Sequence, residues 1–244
     1  MRNICLIVSY DGTNYHGWQC QPDLTTVSQT IQAKIGRIVD HPVKIYGGAR
    51  TDSGVHAFGQ TLNFRTESAI PLQGLVRALN SLLPADIRVH DAREMADDFH
   101  ARYSTKSKVY VYVILNSLYN SPFQARYAWH IPYSIDVPSM HRAARSLVGT
   151  HDFSAFKKKS EAYRSHERTL IRAGVKRKGD MAYVLVEGTG FLRYMVRNIV
   201  GTLVLVGSGR LSVDDFRSVL ESRDRDMAGP TAPAKGLFLR EIRY

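Results

Sequence analysis

Two periodicities alternate along this chain, and together they confine it to a mixed class of fold. Ile4, Leu6, Val8 and Tyr10 recur at every second position, the period of a strand, and a turn with Asp11-Gly12 chemistry follows. Val27, Ile31, Ile35 and Ile38 then come at helical spacing, opened by a Thr26–Gln29 capping box and stopped by Pro42. Phe58, Gln60, Leu62 and Phe64 share one face of a further strand. A stripe of Leu72, Leu75, Val76, Leu79 and Leu82 predicts a second helix between Pro71 and Pro84, and a strand covers 87–93. The second half repeats the mixture. A strand runs over 108–115, with Val109, Val111, Val113 and Leu115 on one side and Lys108, Tyr110, Tyr112 and Ile114 on the more polar one. A helix is expected over 138–148 with Gly149 at C′, a hairpin over 169–187, helices from about 191 to 206 and after Ser212, and a closing strand over 237–244. Strands with about two helices in each half fit an α+β arrangement with mainly antiparallel sheets. The aperiodic polar stretch 103–107 sets the expected boundary, giving half-domains 1–105 and 106–244.

Charge is divided unequally between these halves. The 244 residues carry a formal net charge of +11. Residues 1–105 hold ten Lys/Arg and ten Asp/Glu, whereas residues 106–244 hold 23 and 12. A surplus confined to one half points to a polyanionic partner such as nucleic acid. The densest run, 157–178, has nine Lys/Arg and two Glu, with Tyr163 and His166 among them. Lys157, Lys158, Lys159, Arg164 and Arg168 are its candidate phosphate contacts, although a solvated hairpin face accounts for the same run. Tyr110 and Tyr112 are candidate stacking surfaces for unpaired bases, and equally good strand formers.

Two cysteines exclude a disulfide framework and suggest a reduced, cytoplasmic setting. No targeting pattern precedes the first strand, and the longest apolar run, 199–206, is far short of a membrane span. Phosphate-binding glycine loops, metal-spaced Cys or His pairs and a serine nucleophile elbow are missing from the sequence, so neither metal nor cofactor is expected.

What remains is one carboxylate in an unusual setting. The run Gly47-Gly48-Ala49-Arg50-Thr51-Asp52-Ser53-Gly54-Val55-His56-Ala57 joins two strand-like stretches and puts Asp52 two residues after Arg50, between flexible glycines. Such connections are where a rigid scaffold carries chemistry. An Asx-type turn, in which Asp52 caps its own backbone, explains the spacing as well. Arg193 and Arg197, four apart, are expected on one face of an otherwise apolar helix, where a guanidinium needs an anionic partner.

These residues resemble a known family. A-R-T-D-S-G-V-H-A is similar to the catalytic motif of the tRNA pseudouridine synthase A (TruA) family, and five further segments also resemble it, in order along the chain: 10–19, 108–112, 151–156, 191–201 and 231–239. The resemblance implies two similar α+β half-domains sharing a central, mainly antiparallel sheet with an RNA cleft between them. It implies a homodimer that isomerises uridine to pseudouridine at positions 38–40 of the tRNA anticodon stem-loop, without a cofactor. Asp52 would be the catalytic nucleophile, attacking either C6 of the base or C1′ of the ribose. Arg197 would pair with it, Tyr110 would stack on the uracil, with Tyr112 as the alternative, and Arg50 would hold the flipped nucleotide. Ala49 departs from the family's usual Gly, which implies no left-handed backbone there. A vestigial RNA-binding module and a glycosidic hydrolase are the rival readings.

Overall fold

The computed structural model of the chain describes residues 1–160 and 164–244, so Tyr163 of the basic run lies outside the described residues. The α+β class is as expected. The chain divides into two compact units, Met1–Lys108 with Phe238–Tyr244, and Val109–Leu237. The break falls at the start of a strand rather than in the polar stretch, because that stretch is already hydrogen-bonded to the last strand through Lys106 N–H and the Arg243 carbonyl. The C-terminal strand, expected with the second half, belongs to the first unit. Alternation marks a strand but carries no information about which neighbour it pairs with.

In the first unit, β1 (Arg2–Tyr10) lies between β3 (His56–Thr66) and β4 (Ile87–Met95), antiparallel to both. The short β2 (Tyr46–Gly47) pairs with β3, and β10 (Leu237–Arg243) runs parallel to it, Phe238 opposite His56. Ile4, Leu6, Val8 and Tyr10 are all buried, as their period requires. Two helices accompany these strands, α1 (Val27–Val39) and α2 (Leu72–Leu82). The Thr26 hydroxyl accepts from Gln29 N–H at the start of α1, and Asp40 in a left-handed conformation ends it before Pro42 is reached. Near the end of β1 the register with β3 shifts between Val8 and Tyr10. Such irregularities turn a side chain away from the regular pleat, and Tyr10 is the one turned toward the Asp52 loop.

The second unit is built on the strand order β5 (Ser107–Asn116), β9 (Met181–Gly188), β8 (Glu167–Lys178) and β7 (Gly149–Asp152), with β6 (Trp129–Ile131) parallel to β5. Lys178 pairs with Met181 across the expected Gly179-Asp180 turn. The helices are α3 (Val137–Arg145), α4 (Met195–Gly207) and α5 (Val213–Ser222). Both halves of the Ser212–Asp215 capping box form at α5. α3 stops at Ser146, short of Gly149, which instead opens β7 with φ +117°. α4 begins four residues later than its apolar pattern suggests, because Tyr194 adopts φ 65° and ends any helical run there. Arg193 is therefore off the helix and shares no helical face with Arg197. Among the described residues no helix is long and apolar enough to cross a membrane.

Nearly every residue of α4 is buried, so its one amide side chain must find partners inside. Asn198 donates to the Phe156 and Lys157 carbonyls at 2.7 and 3.2 Å and accepts from Arg225 and Thr231 at 3.1 and 2.6 Å. One residue thus ties α4 to the 3-10 turn Ser154–Phe156 and to the segment after α5. Replacing Asn198 with Ala leaves the buried Phe156 carbonyl and its partly buried neighbours unmatched, and a stability loss of about 2 kcal/mol is expected as a lower urea midpoint.

The same 3-10 turn is capped by Asp152, which accepts from the amide and hydroxyl of Ser154. Partial burial would raise its carboxyl, but these bonds, with Arg223 and His166 nearby, outweigh it and hold the group below its ordinary value. A depressed folded value stabilises the protein above the unfolded value and loses that contribution as pH falls through the folded one. Asp152→Asn is therefore expected to lower the urea midpoint at neutral pH, the gap to wild type closing below about pH 4.

Candidate active site

The Asp52 loop has almost no ladder of its own, and side chains supply what the ladder would. Gln60, fully buried on β3, accepts from Ala49 N–H at 3.1 Å and donates to the Ala49 carbonyl at 2.8 Å, closing both polar groups of one residue. The Tyr10 hydroxyl bonds Thr51 Oγ1 at 2.8 Å. Burial drives the Tyr10 phenol far above its ordinary value despite the bonds to Thr51 and Gln60, so it stays neutral. Val55 N–H donates to the Asp52 carbonyl at 3.2 Å, with Gly54 at φ +74° completing the turn. The turn is closed by backbone. Ala49 has no positive φ, in keeping with the side chain it carries.

A second loop, 10–18, is pressed against this one. Trp18 N–H donates to the Thr51 carbonyl at 3.1 Å, and Ser53 Oγ and Gly54 N–H reach the Tyr15 carbonyl at 3.2 and 3.4 Å. The two glycines of this loop are there for proximity. A Cβ on Gly12 would lie 2.0 Å from the Val55 carbonyl oxygen, and one on Gly17 2.7 Å from that of Thr51. Beside them the buried His56 ring stacks on Phe238 at 4.7 Å, with its Nδ1 3.1 Å from Gly12 N and 3.0 Å from Asp11 Oδ1. Held from both sides, Asp52 stays half-buried while Arg50, two residues back, is exposed. Farther along the chain, at Lys108, burial and the charge of Arg102 pull the ammonium down to about 8.

The second unit holds the other candidates, and it corrects how two of them were read. The face of β5 carrying Tyr110 and Tyr112 is the buried one. Tyr110 is 7% exposed and meets Phe191 edge-on at 5.1 Å. Tyr112 is 0% exposed and donates to the Pro233 carbonyl at 2.8 Å, which makes it a core residue and removes it as a stacking surface. The error came from treating Lys108 as a marker of a wet face, when its long apolar stem allows it to be mostly buried. Arg197 sits half-buried in the first turn of α4 and donates through Nε to the Ala232 carbonyl at 2.7 Å. Its guanidinium lies 4.8 Å from the Tyr194 ring centre, with Arg193 at 5.4 Å and Lys158 at 5.7 Å around the same ring.

The basic segment is less uniform than its charge count. Lys157 Nζ is 3.1 Å from His166 Nε2, Lys159 pairs with Asp226 at 2.6 Å, and Arg168 donates to the Ser165 carbonyl at 3.0 Å. Arg164 is exposed. Sequence reasoning missed Gln60, Tyr10 and Tyr194 as supports. Gln60 sat in view as the one polar member of a buried strand face, a signal that a partner was needed.

Comparison with known proteins identifies the family. A family model described as tRNA pseudouridine synthase matches residues 6–104 and 143–244. The chain is similar over all 244 residues to proteins named tRNA pseudouridine synthase A from Thermoanaerobacter sp. (strain X514), 46% identical, and from Acetivibrio thermocellus, 45% identical, and all of each relative is covered. A relative named tRNA pseudouridine synthase A 2, from Clostridium tetani, is 42% identical, with 100% of this chain and 99% of that one covered. Among solved structures it is similar to an archaeal box H/ACA sRNP Nop10-Cbf5 complex, with a TM-score of 0.37, 13% identity, and 92% of this chain and 60% of that one covered.

If Gln60 is what holds the Asp52 loop, removing its amide should free the peptide it clasps. Gln60→Leu is expected to cost about 3 kcal/mol, since it leaves a buried N–H and C=O unpaired. Hydrogen exchange should locate the effect: the Ala49 amide, protected in wild type, exchanges at least tenfold faster in the variant, while amides in α5 change only with global stability.

Proposed function

The chain belongs to the tRNA pseudouridine synthase A family, and on that premise we propose that Asp52 is the nucleophile with which it isomerises uridine to pseudouridine in the anticodon stem-loop of tRNA. The observation that carries this reading is the way the Asp52 loop is built. A buried amide, a buried phenol and a second loop fix its backbone, and the carboxylate is left at a half-buried position. A nucleophile must be aimed, and a backbone fixed on both sides aims it.

The remaining roles follow the family resemblance and suit the surroundings of each residue. Attack of the Asp52 carboxylate on C6 of the base or C1′ of the ribose lets the N-glycosidic bond break; the uracil turns and rejoins to C1′ through C5, the bond to Asp52 breaks to restore the carboxylate, and C5 gives up its proton. Arg197 favours the ionised carboxylate, and its bond to the Ala232 carbonyl restricts the guanidinium to few orientations. Tyr110 contacts the uracil; with so little of its ring exposed, it presents an edge or its hydroxyl rather than a broad face. Arg50, exposed beside the nucleophile, holds the nucleotide that has left the stack. Lys157, Lys158, Lys159, Arg164 and Arg168 contact tRNA phosphates. The enzyme works in the cytoplasm as a homodimer, a state that sedimentation at micromolar concentration tests.

Release of tritium from tRNA labelled at uridine C5 tests the chemistry. Wild type is expected to release it without changing the RNA mass, and Asp52→Asn to release it at least a thousandfold more slowly while still binding tRNA. Equal rates from the two proteins would remove Asp52 from the mechanism, and free uracil among the products would make the enzyme a hydrolase.

A further inference from the structure

The first unit carries an aromatic array that the roles above leave unused. Tyr46 of β2, His100 and Tyr103 form a continuous row of ring contacts, with ring centres 4.7 Å apart from Tyr46 to His100 and 4.4 Å from His100 to Tyr103. The rings tilt by 49° and 37° from one to the next. A cation stands at each end: Lys44 Nζ lies 5.4 Å from the Tyr46 ring centre, and the Arg102 guanidinium 5.8 Å from that of Tyr103. Among the described residues neither cation is in an ion pair. Tyr103 is 78% exposed, so most of its ring remains open to solvent.

The array is held rigidly from beneath. Asn63, buried on β3 opposite Tyr46, accepts from Ala101 N–H at 2.9 Å and so fixes the turn that carries His100 and Tyr103. The Ala101 carbonyl accepts from Thr105 Oγ1 and from Tyr244 Oη, each at 2.8 Å. Arg102 N–H donates to His100 Nδ1 at 3.1 Å, which orients the central ring. A floppy aromatic turn would need none of these bonds.

We propose that Tyr46, His100 and Tyr103, with Lys44 and Arg102, form a second RNA contact, a stacking platform for an unpaired nucleotide of the tRNA other than the one being isomerised. Exposed rings accept a base of any identity, and flanking cations meet its phosphates. The proposal rests on the reading of the protein as a tRNA-modifying enzyme, and the chain itself limits the reach required. β2 leads straight into the Asp52 loop, and the six residues from Tyr46 to Asp52 span at most about 20 Å. That is within about six nucleotides of stacked strand, so a single RNA loop can occupy both places. The five residues carry two cations and no carboxylate, in a half of the chain whose total charge is zero.

The test is RNA affinity, read for Tyr103→Ala and Arg102→Gln against Phe123→Ala, a still more exposed ring in the other unit. With an anticodon stem-loop RNA, Tyr103→Ala is expected to raise Kd and KM about tenfold, the order of losing one stacked base. Arg102→Gln should lower the dependence of binding on salt by about one counterion. Phe123→Ala should do neither, and urea midpoints should match wild type in all three. Affinities within twofold of wild type for both platform variants, in an enzyme that forms pseudouridine, overturn the platform and leave the catalytic reading standing. A wild type that forms none removes that reading instead. The platform is then decided with an unstructured RNA oligonucleotide, loss of binding in Tyr103→Ala supporting it and unchanged binding overturning it.

Discussion

A peptide unit in a glycine-flanked loop lacks the neighbouring strand that would satisfy it, and at Ala49 the side chain of Gln60 takes that strand's place. The amide offers one acceptor and one donor at the spacing of a backbone ladder, so a single residue of β3 continues the sheet into the loop. Everything downstream inherits this anchor. Thr51 can meet Tyr10 and Trp18 only if Ala49 is fixed, and Asp52 follows Thr51. The bonds are modest singly, roughly 1 kcal/mol each, but their absence would expose buried groups at a higher cost. Tight approach replaces bond strength elsewhere: Gly12 and Gly17 let one loop's backbone touch the other's, and Tyr15, Trp18 and Val55 of the same loops are buried.

A comparable trade sets the start of α4. Tyr194 pays about 1–2 kcal/mol for a left-handed backbone that glycine would adopt freely. Cations around its ring return about 0.5–1 kcal/mol for a single contact at an exposed site, so an aromatic ring here offsets part of the strain. The consequence is positional. Starting the helix at Met195 puts Arg197 in its first turn, where the helix dipole disfavours a cation. Its bond to the Ala232 carbonyl gives the guanidinium a partner there and fixes which way it points.

Much of this was legible in the sequence wherever one residue's neighbours along the chain decide its structure. The period of β1, the stripe of α2, the capping box at Ser212 and the turn at Gly179 all depend on local spacing, and they formed as read. The failures share a cause: each needed a partner far along the chain. β10 belongs to the first unit because it pairs with β3, which its own alternation cannot encode. Tyr112 is core because Pro233 and Trp129 enclose it, not because of its place on β5. The start of α4 moved because a backbone conformation at Tyr194, invisible in an apolar pattern, overrode the pattern. The Asp52 loop was recognisable as a motif, whereas the contacts that hold it lie on residues whose types are common and whose roles arise only in three dimensions.

Charge shows the same limit in another form. Counting placed every surplus cation in the second half, yet several cations of the basic run already have partners there: Lys157 with His166, Lys159 with Asp226, Arg172 with Glu187. Burial grades how firmly they are held. The Lys159–Asp226 pair is exposed on both sides, so it is worth under about 1 kcal/mol and a phosphate can displace the carboxylate. Arg172 faces a carboxylate that is itself buried, so this pair is held more firmly and Arg172 is not available on the same terms. In the neutral half, Lys44 and Arg102 rest on aromatic faces, which attract a cation without neutralising it. An anion approaching the protein therefore meets more positive charge at these two than the balance of their half suggests, and less along the basic run than its nine cations imply.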